Sequence, residues 1–171
     1  FVIEYLVDTQ SRVDFFNLKG EFLSTLDLPK EGSISGFYGK IKDRFSYFSF
    51  TNYVTPTTIY KIDMGSLNYE EYWSEVLPKF KTDEFISRIQ FYESKDGTKI
   101  PLHISHKKET KLNENTPILL YGYGGFNISI LPSFIKTYLA WMNQGGVVAV
   151  ANLRGGSEYG DSWHKGGMLL S

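Results

Sequence analysis

Alternation of apolar and polar positions governs the first part of the chain. Between residues 1 and 77, short segments rich in Tyr, Phe, Val, Ile and Thr are interrupted by Gly, Asn, Asp and Pro. That is the pattern of half-buried antiparallel strands joined by turns. Segments 1–7 and 45–50 carry it most clearly. They also begin an internal echo, FVIEYLVDTQSRVDFFNLKG against RFSYFSFTNYVTPTTIYKIDMG, with Phe1 falling on Phe45 and Gly20 on Gly65, an offset of 44 to 45 residues. Such a period is that of one four-stranded β-propeller blade, whose faces are buried only by its neighbours. The echo predicts one blade and part of another.

Residues 77–85, LPKFKTDEF, lose the alternation and carry Pro78, which predicts a connection between units. The expected domains are therefore 1–77 and 78–171. Beyond the boundary, strand-like segments 88–93 and 99–106 flank Ser94-Lys95-Asp96-Gly97, where Asp-Gly signals a hairpin. After a polar loop, PILLYGYGGF joins a continuous apolar run to a Gly-rich loop, the pattern of a buried parallel strand. Residues 132–143 place Ile135, Leu139 and Met142 on one face, with Pro132 suited to a first helical turn and Gly145 to a stop. A second apolar strand over 146–152 then runs into the loop RGGSEYG. Strand, loop, helix, strand and loop predict a βαβ unit with a parallel pairing.

Composition removes several classes of function. With 18 Lys plus Arg against 19 Asp plus Glu, the net charge of −1 provides no field to gather nucleic acid or anionic lipid. The absence of cysteine excludes disulfide scaffolds, thiol nucleophiles and Cys-based zinc sites, and permits the cytosol. Apolar residues make up 42% and charged residues 22%, ordinary globular usage. The longest apolar stretch, 145–153, is about half a membrane span, so no membrane association is expected. The chain opens at Phe1 inside a strand-like pattern and stops at Ser171 just after a loop, which predicts an internal piece of a longer protein.

The loop 121–126 is the first place to look for chemistry, because open α/β sheets bind ligands at the C-terminal ends of parallel strands. It matches neither GxGxxG nor a P-loop, which argues against a nucleotide. Tyr123, flanked by glycines, either presents its phenol as an oxyanion donor or packs on the sheet. His103 and His106, three apart on a strand, point to opposite faces and read as solvated strand-edge residues rather than metal ligands. His164 reads as structural, and Arg154 as orienting a loop, with clamping of a substrate carboxylate as the alternative. Ser157, Glu158 and Asp161 lack a partner set that would mark a nucleophile or an acid/base pair, and no GxSxG occurs. Trp73, Trp141 and Trp163 read as packing, and Glu70-Glu71 and Lys107-Lys108 as solvated charge.

YGYGGFNISILP, followed by VVAVANLRGGSEYGDSWHKGG and preceded by FYESKDGTKIPLHI, closely resembles the prolyl oligopeptidase family of serine peptidases. The resemblance spans nearly the whole chain. It implies terminal blades of a seven-bladed propeller over 1–77, then the N-terminal part of an α/β-hydrolase domain cut before the nucleophile. It also implies that Tyr123 stabilises the tetrahedral oxyanion and that Phe126 lines the pocket for the proline ring. The Ser, Asp and His of the triad would lie downstream, leaving the isolated chain inert. For the parent it implies a cytoplasmic monomer that cuts short proline-containing peptides and needs no cofactor or metal. An oligopeptidase cutting after basic residues and a non-catalytic propeller interaction protein are the alternatives. The intact YGYGGF with Phe126 argues for the proline-specific branch. A partial propeller and an incomplete sheet should leave apolar faces uncovered.

Overall fold

The computed structural model describes residues 1–78 and 80–168. Contacts divide them into one unit of 1–78 with 132–134, and a second of 80–131 with 135–168.

In the first unit, β1 (Val2–Val7), β2 (Gln10–Phe16) and β3 (Phe22–Thr25) form a three-stranded antiparallel meander. The strands β4 (Ser33–Gly36), β5 (Phe45–Thr51), β6 (Thr58–Asp63) and β7 (Tyr69–Ser74) form a four-stranded one, a whole blade beside three strands of another. The sequence echo is therefore real, with β1 and β2 repeated as β5 and β6. Its register drifts because residues 52–57 separate β5 from β6, whereas Asp8 and Thr9 alone separate β1 from β2. Alternation along β5 turns Ser46, Phe48 and Phe50 inward. With Val13, Phe15, Leu26, Ile34 and Ile62, the Phe48 and Phe50 side chains make the core shared by the two sheets. Phe48 sits at its centre, stacked on Phe37 at 5.0 Å and on Tyr60 at 5.2 Å, with Tyr69 edge-on at 5.4 Å. Offset and edge-on ring pairs add to the area that aromatic burial removes from water.

In the second unit, β8 (Phe85–Glu93) and β9 (Lys99–Lys107) form the expected hairpin, closed by Ser94 N–H to Thr98 O at 2.8 Å and Gly97 N–H to Ser94 O at 2.9 Å. A parallel pair, β10 (Ile118–Gly122) and β11 (Val147–Ala151), extends the sheet to the order β10-β11-β9-β8. The crossover helix α1 (Lys136–Asn143) buries Leu139 and Met142 against β9 and β11. All five residues of β11 are buried. β10, equally apolar, lies at the sheet edge, leaving Ile118 61% and Leu120 69% exposed. A buried-strand pattern thus stands at a sheet edge with no neighbour on its outer side among the described residues. Among the described residues no helix is long and apolar enough to cross a membrane.

Two helix expectations need correction. The first helix starts at Lys136, not at Pro132. Phe134 N–H donates to Thr51 Oγ1 at 3.2 Å, and residues 132–134 cluster with the first unit, so their backbone is already committed elsewhere. A short helix, α2 (Asp161–Lys165), occupies a stretch read as loop. Asp161 in its first turn suits the helix dipole and pairs with Lys165 at 2.6 Å, but five residues are too few to show a period.

Candidate functional site

Because β10 and β11 run parallel, the loops leaving their C-terminal ends, 123–135 and 152–160, emerge at the same end of the sheet. Their glycines let the two backbones touch. Gly124, at φ 55, has no room for a Cβ, which would lie 2.6 Å from Leu153 Cβ and 2.7 Å from Arg154 O. Gly155, at φ 99, would drive a Cβ into the Gly124 carbonyl oxygen and to 2.8 Å from its carbon. Positive φ and this closeness together explain glycine at both positions. Asn127 N–H then donates to Gly155 O at 3.0 Å, and Ser129 and Ser157 join their hydroxyls at 2.8 Å.

On this paired-loop base stand the two residues singled out from sequence. Tyr123 is 44% exposed and Phe126 84% exposed, with ring centroids 6.5 Å apart and planes tilted by 32°. Among the described residues nothing is hydrogen-bonded to the Tyr123 hydroxyl. Phe126 and Asn127 occupy consecutive left-handed conformations, φ 54 and 57. Non-glycine residues held there cost about 1–3 kcal/mol each, and such strain concentrates at functional sites. The arrangement offers a neutral phenolic O–H beside an apolar ring, able to hydrogen-bond an oxyanion next to a flat apolar group.

The base is braced from two sides. Arg154 pairs with Asp96 in the β8–β9 turn and reaches Thr98 Oγ1 and Ser94 Oγ, each at 3.4 Å. The backbone N–H of Thr98 and the Arg154 guanidinium hold the Asp96 carboxyl down at about 2. Arg154 therefore fixes a loop, as its place after an apolar strand suggested. From α2, His164 Nδ1 lies 2.7 Å from Gly155 O and Trp163 Nε1–H donates to Leu153 O at 3.2 Å, so both side chains hold the 153–155 segment.

Glu158 and Asn152 were missed as site residues. Asn152 is fully buried and Glu158 4% exposed. Glu158 Oε1 accepts from Ile130 N–H at 3.0 Å and from Asn152 Nδ2–H at 3.2 Å, and Asn152 Nδ2–H also donates to Ile130 O at 2.6 Å. Ser157 meets another hydroxyl and no base. The available signal was a polar side chain at the end of a wholly apolar strand and a carboxylate inside a Gly-rich loop, each needing buried partners.

The histidine expectation fails in part. His103 and His106 do lie three apart on β9, but both are buried, at 4% and 8% exposure, not solvated at an edge. β9 is an inner strand of the sheet, and burial lowers the His103 pKa to about 4. Among the described residues no three His, Asp or Glu side chains are grouped to hold a metal ion.

Comparison with known proteins places this geometry. Residues 1–73 match the model of the prolyl oligopeptidase N-terminal beta-propeller domain, and residues 132–170 that of the prolyl oligopeptidase family. The chain is 42% identical over 170 residues to a prolyl endopeptidase of Elizabethkingia meningoseptica, covering 99% of this chain and 24% of that protein. A Dictyostelium discoideum prolyl endopeptidase is 34% identical over 98% of this chain and 22% of its own length. Among solved structures, prolyl oligopeptidase B from Galerina marginata, bound to a 35mer hydrolysis and macrocyclization substrate, superposes with a TM-score of 0.90 at 32% identity over 98% of this chain and 24% of that one. The chain thus spans about a quarter of the length of the relatives it matches.

Proposed function

Because this chain belongs to the prolyl oligopeptidase family, we propose that it is one segment of a serine endopeptidase that hydrolyses short peptides on the carboxyl side of proline. The observation that carries the reading is the Tyr123 hydroxyl, placed beside Phe126 on a glycine-locked loop at the C-terminal end of β10. In the parent enzyme a serine hydroxyl from outside this chain attacks the carbonyl carbon of the proline residue itself, and its proton passes to a histidine, also from outside. The carbonyl oxygen becomes an oxyanion. Tyr123 donates its O–H to that oxygen, and the Phe126 ring supplies an apolar wall for the pyrrolidine. Collapse breaks the C–N bond as the histidine returns the proton to the leaving nitrogen, releasing the amine, and water then hydrolyses the acyl-enzyme. The chain itself holds no GxSxG turn and is inactive alone.

Losing one oxyanion donor costs about 2.7–4 kcal/mol, or about 10²–10³ in kcat. Tyr123→Phe in the parent should lower kcat by that factor with little change in KM, and an unchanged kcat would refute the assignment. Substrate class is tested with two otherwise identical fluorogenic peptides carrying proline or arginine before the scissile bond. Preference for proline supports the reading. Preference for arginine moves the parent to the basic-specific branch, and turnover of neither makes it a propeller interaction protein.

A further inference from the structure

The residues outside the proposed chemistry that bear most directly on it are Glu158 and Asn152, neither of which can touch a substrate from where it sits. We propose that this buried pair is the positioning device of the oxyanion loop, clamping Ile130 by both its N–H and its C=O and so fixing where Tyr123 and Phe126 stand. The inference rests on the proposed role of Tyr123 and adds the residues that set its position.

The geometry argues for a clamp rather than ordinary loop packing. A backbone held at one atom can still pivot; Ile130 is held at both, by Glu158 Oε1 at 3.0 Å and Asn152 Nδ2 at 2.6 Å, and those two side chains are joined to each other at 3.2 Å. Asn152 follows the last residue of β11, a fully buried inner strand, so the clamp is anchored to the packed interior of the sheet. Between Ile130 and Tyr123 the loop is tied at two further rungs, Ser129 to Ser157 and Asn127 N–H to Gly155 O. Displacing Ile130 therefore unzips the segment that holds Phe126 and Asn127 in their left-handed conformations.

Burying a carboxylate is expensive and is tolerated where hydrogen bonds to it set a geometry. Glu158 Oε2 is buried with no partner among the described residues, so this carboxylate is not placed for its own stability. Its space is reserved by Gly156, where a Cβ would overlap Glu158 Oε2 and approach Ile128 O to 2.9 Å.

The test is a double-mutant cycle on kcat and KM in the full-length parent, with the proline fluorogenic peptide. Glu158→Ala should lower kcat about 10²-fold, the loss that follows a misplacement of about 1 Å, with a smaller change in KM. In the Tyr123→Phe background the same substitution should cost under about 10-fold, because the group it positions is already gone. Gly156→Ala keeps the carboxyl but displaces it. It serves where Glu158→Ala does not fold, and should show the same loss and the same shrinkage. Wild-type kcat in either variant overturns the proposal. So does a loss that multiplies in full with Tyr123→Phe, since an effect on folding alone would not depend on the phenol. If Tyr123→Phe alone is silent, the oxyanion reading itself fails, an outcome distinct from a silent Glu158→Ala on an active Tyr123 background.

Discussion

Substituting alanine at two adjacent glycines of the YGYGGF loop should give opposite results. At Gly124 the new Cβ would meet Leu153 Cβ at 2.6 Å and Arg154 O at 2.7 Å, with φ at 55. The left-handed conformation costs a residue with a Cβ about 1–2 kcal/mol, and overpacking against a backbone that cannot move aside adds about 1–3, so about 2–5 kcal/mol is expected. The loop relieves that strain by lifting off 153–155, which moves Tyr123. At Gly125 the nearest atoms, Tyr123 Cε1 and O, stand 4.0 Å away, and φ lies outside the left-handed region. Alanine there should be neutral, or stabilising by up to about 1 kcal/mol through the unfolded chain. The assay is kcat/KM of the full-length parent on the proline peptide, read beside the midpoint of thermal inactivation. Gly124→Ala should lose about 10²-fold in kcat and inactivate at lower temperature, and Gly125→Ala should match wild type. Equal losses at the two positions, or full activity in Gly124→Ala, would refute the idea that loop-to-loop contact sets the site.

Two further expectations concern pH. His103 has its folded pKa lowered to about 4 by burial, so below the unfolded value of about 6.5 the unfolded state takes up the proton more readily. Stability should be level above about pH 6.5 and fall by about 3 kcal/mol on going down to pH 4. In urea unfolding against pH, His103→Leu should remove that slope, and a slope that survives would refute it. Asp96 has its folded value held at about 2 against an ordinary 3.8, so the stability it confers is present above the ordinary value and lost as pH falls through the folded one. The gap in stability between wild type and Arg154→Ala should be constant from pH 5 to 7 and narrow as pH approaches about 2, since protonated Asp96 no longer pairs. A gap independent of pH would mean that Arg154 acts through packing alone.

The antiparallel strands of the first unit, the β8–β9 hairpin and the βαβ unit were legible because each rests on local chemistry. Phe48 and Phe50 alternate with Tyr47 and Ser49 along β5, Asp96-Gly97 forces a turn, and Leu139 and Met142 fall on one helical face. Where the sequence reading missed, a distant segment had intervened. Thr51 takes the N–H of Phe134 and delays the helix, an inner strand position buries His103 and His106, and β10 meets no neighbour on its outer side among the described residues.

The candidate site divides along the same line. Tyr123 stood out because a glycine-flanked aromatic at a strand end is readable within a few residues, and Phe126 because the loop resembles a family motif. Glu158 and Asn152 did not, because their meaning lies in Ile130, 28 and 22 residues away along the chain. Periodicity and turn residues fix which segments become strands, helix and loops, since those preferences are paid out in neighbouring dihedrals. Which polar groups meet in the buried space between two loops is decided only when the parallel pairing of β10 with β11 brings the loops together, and no local preference encodes that distance.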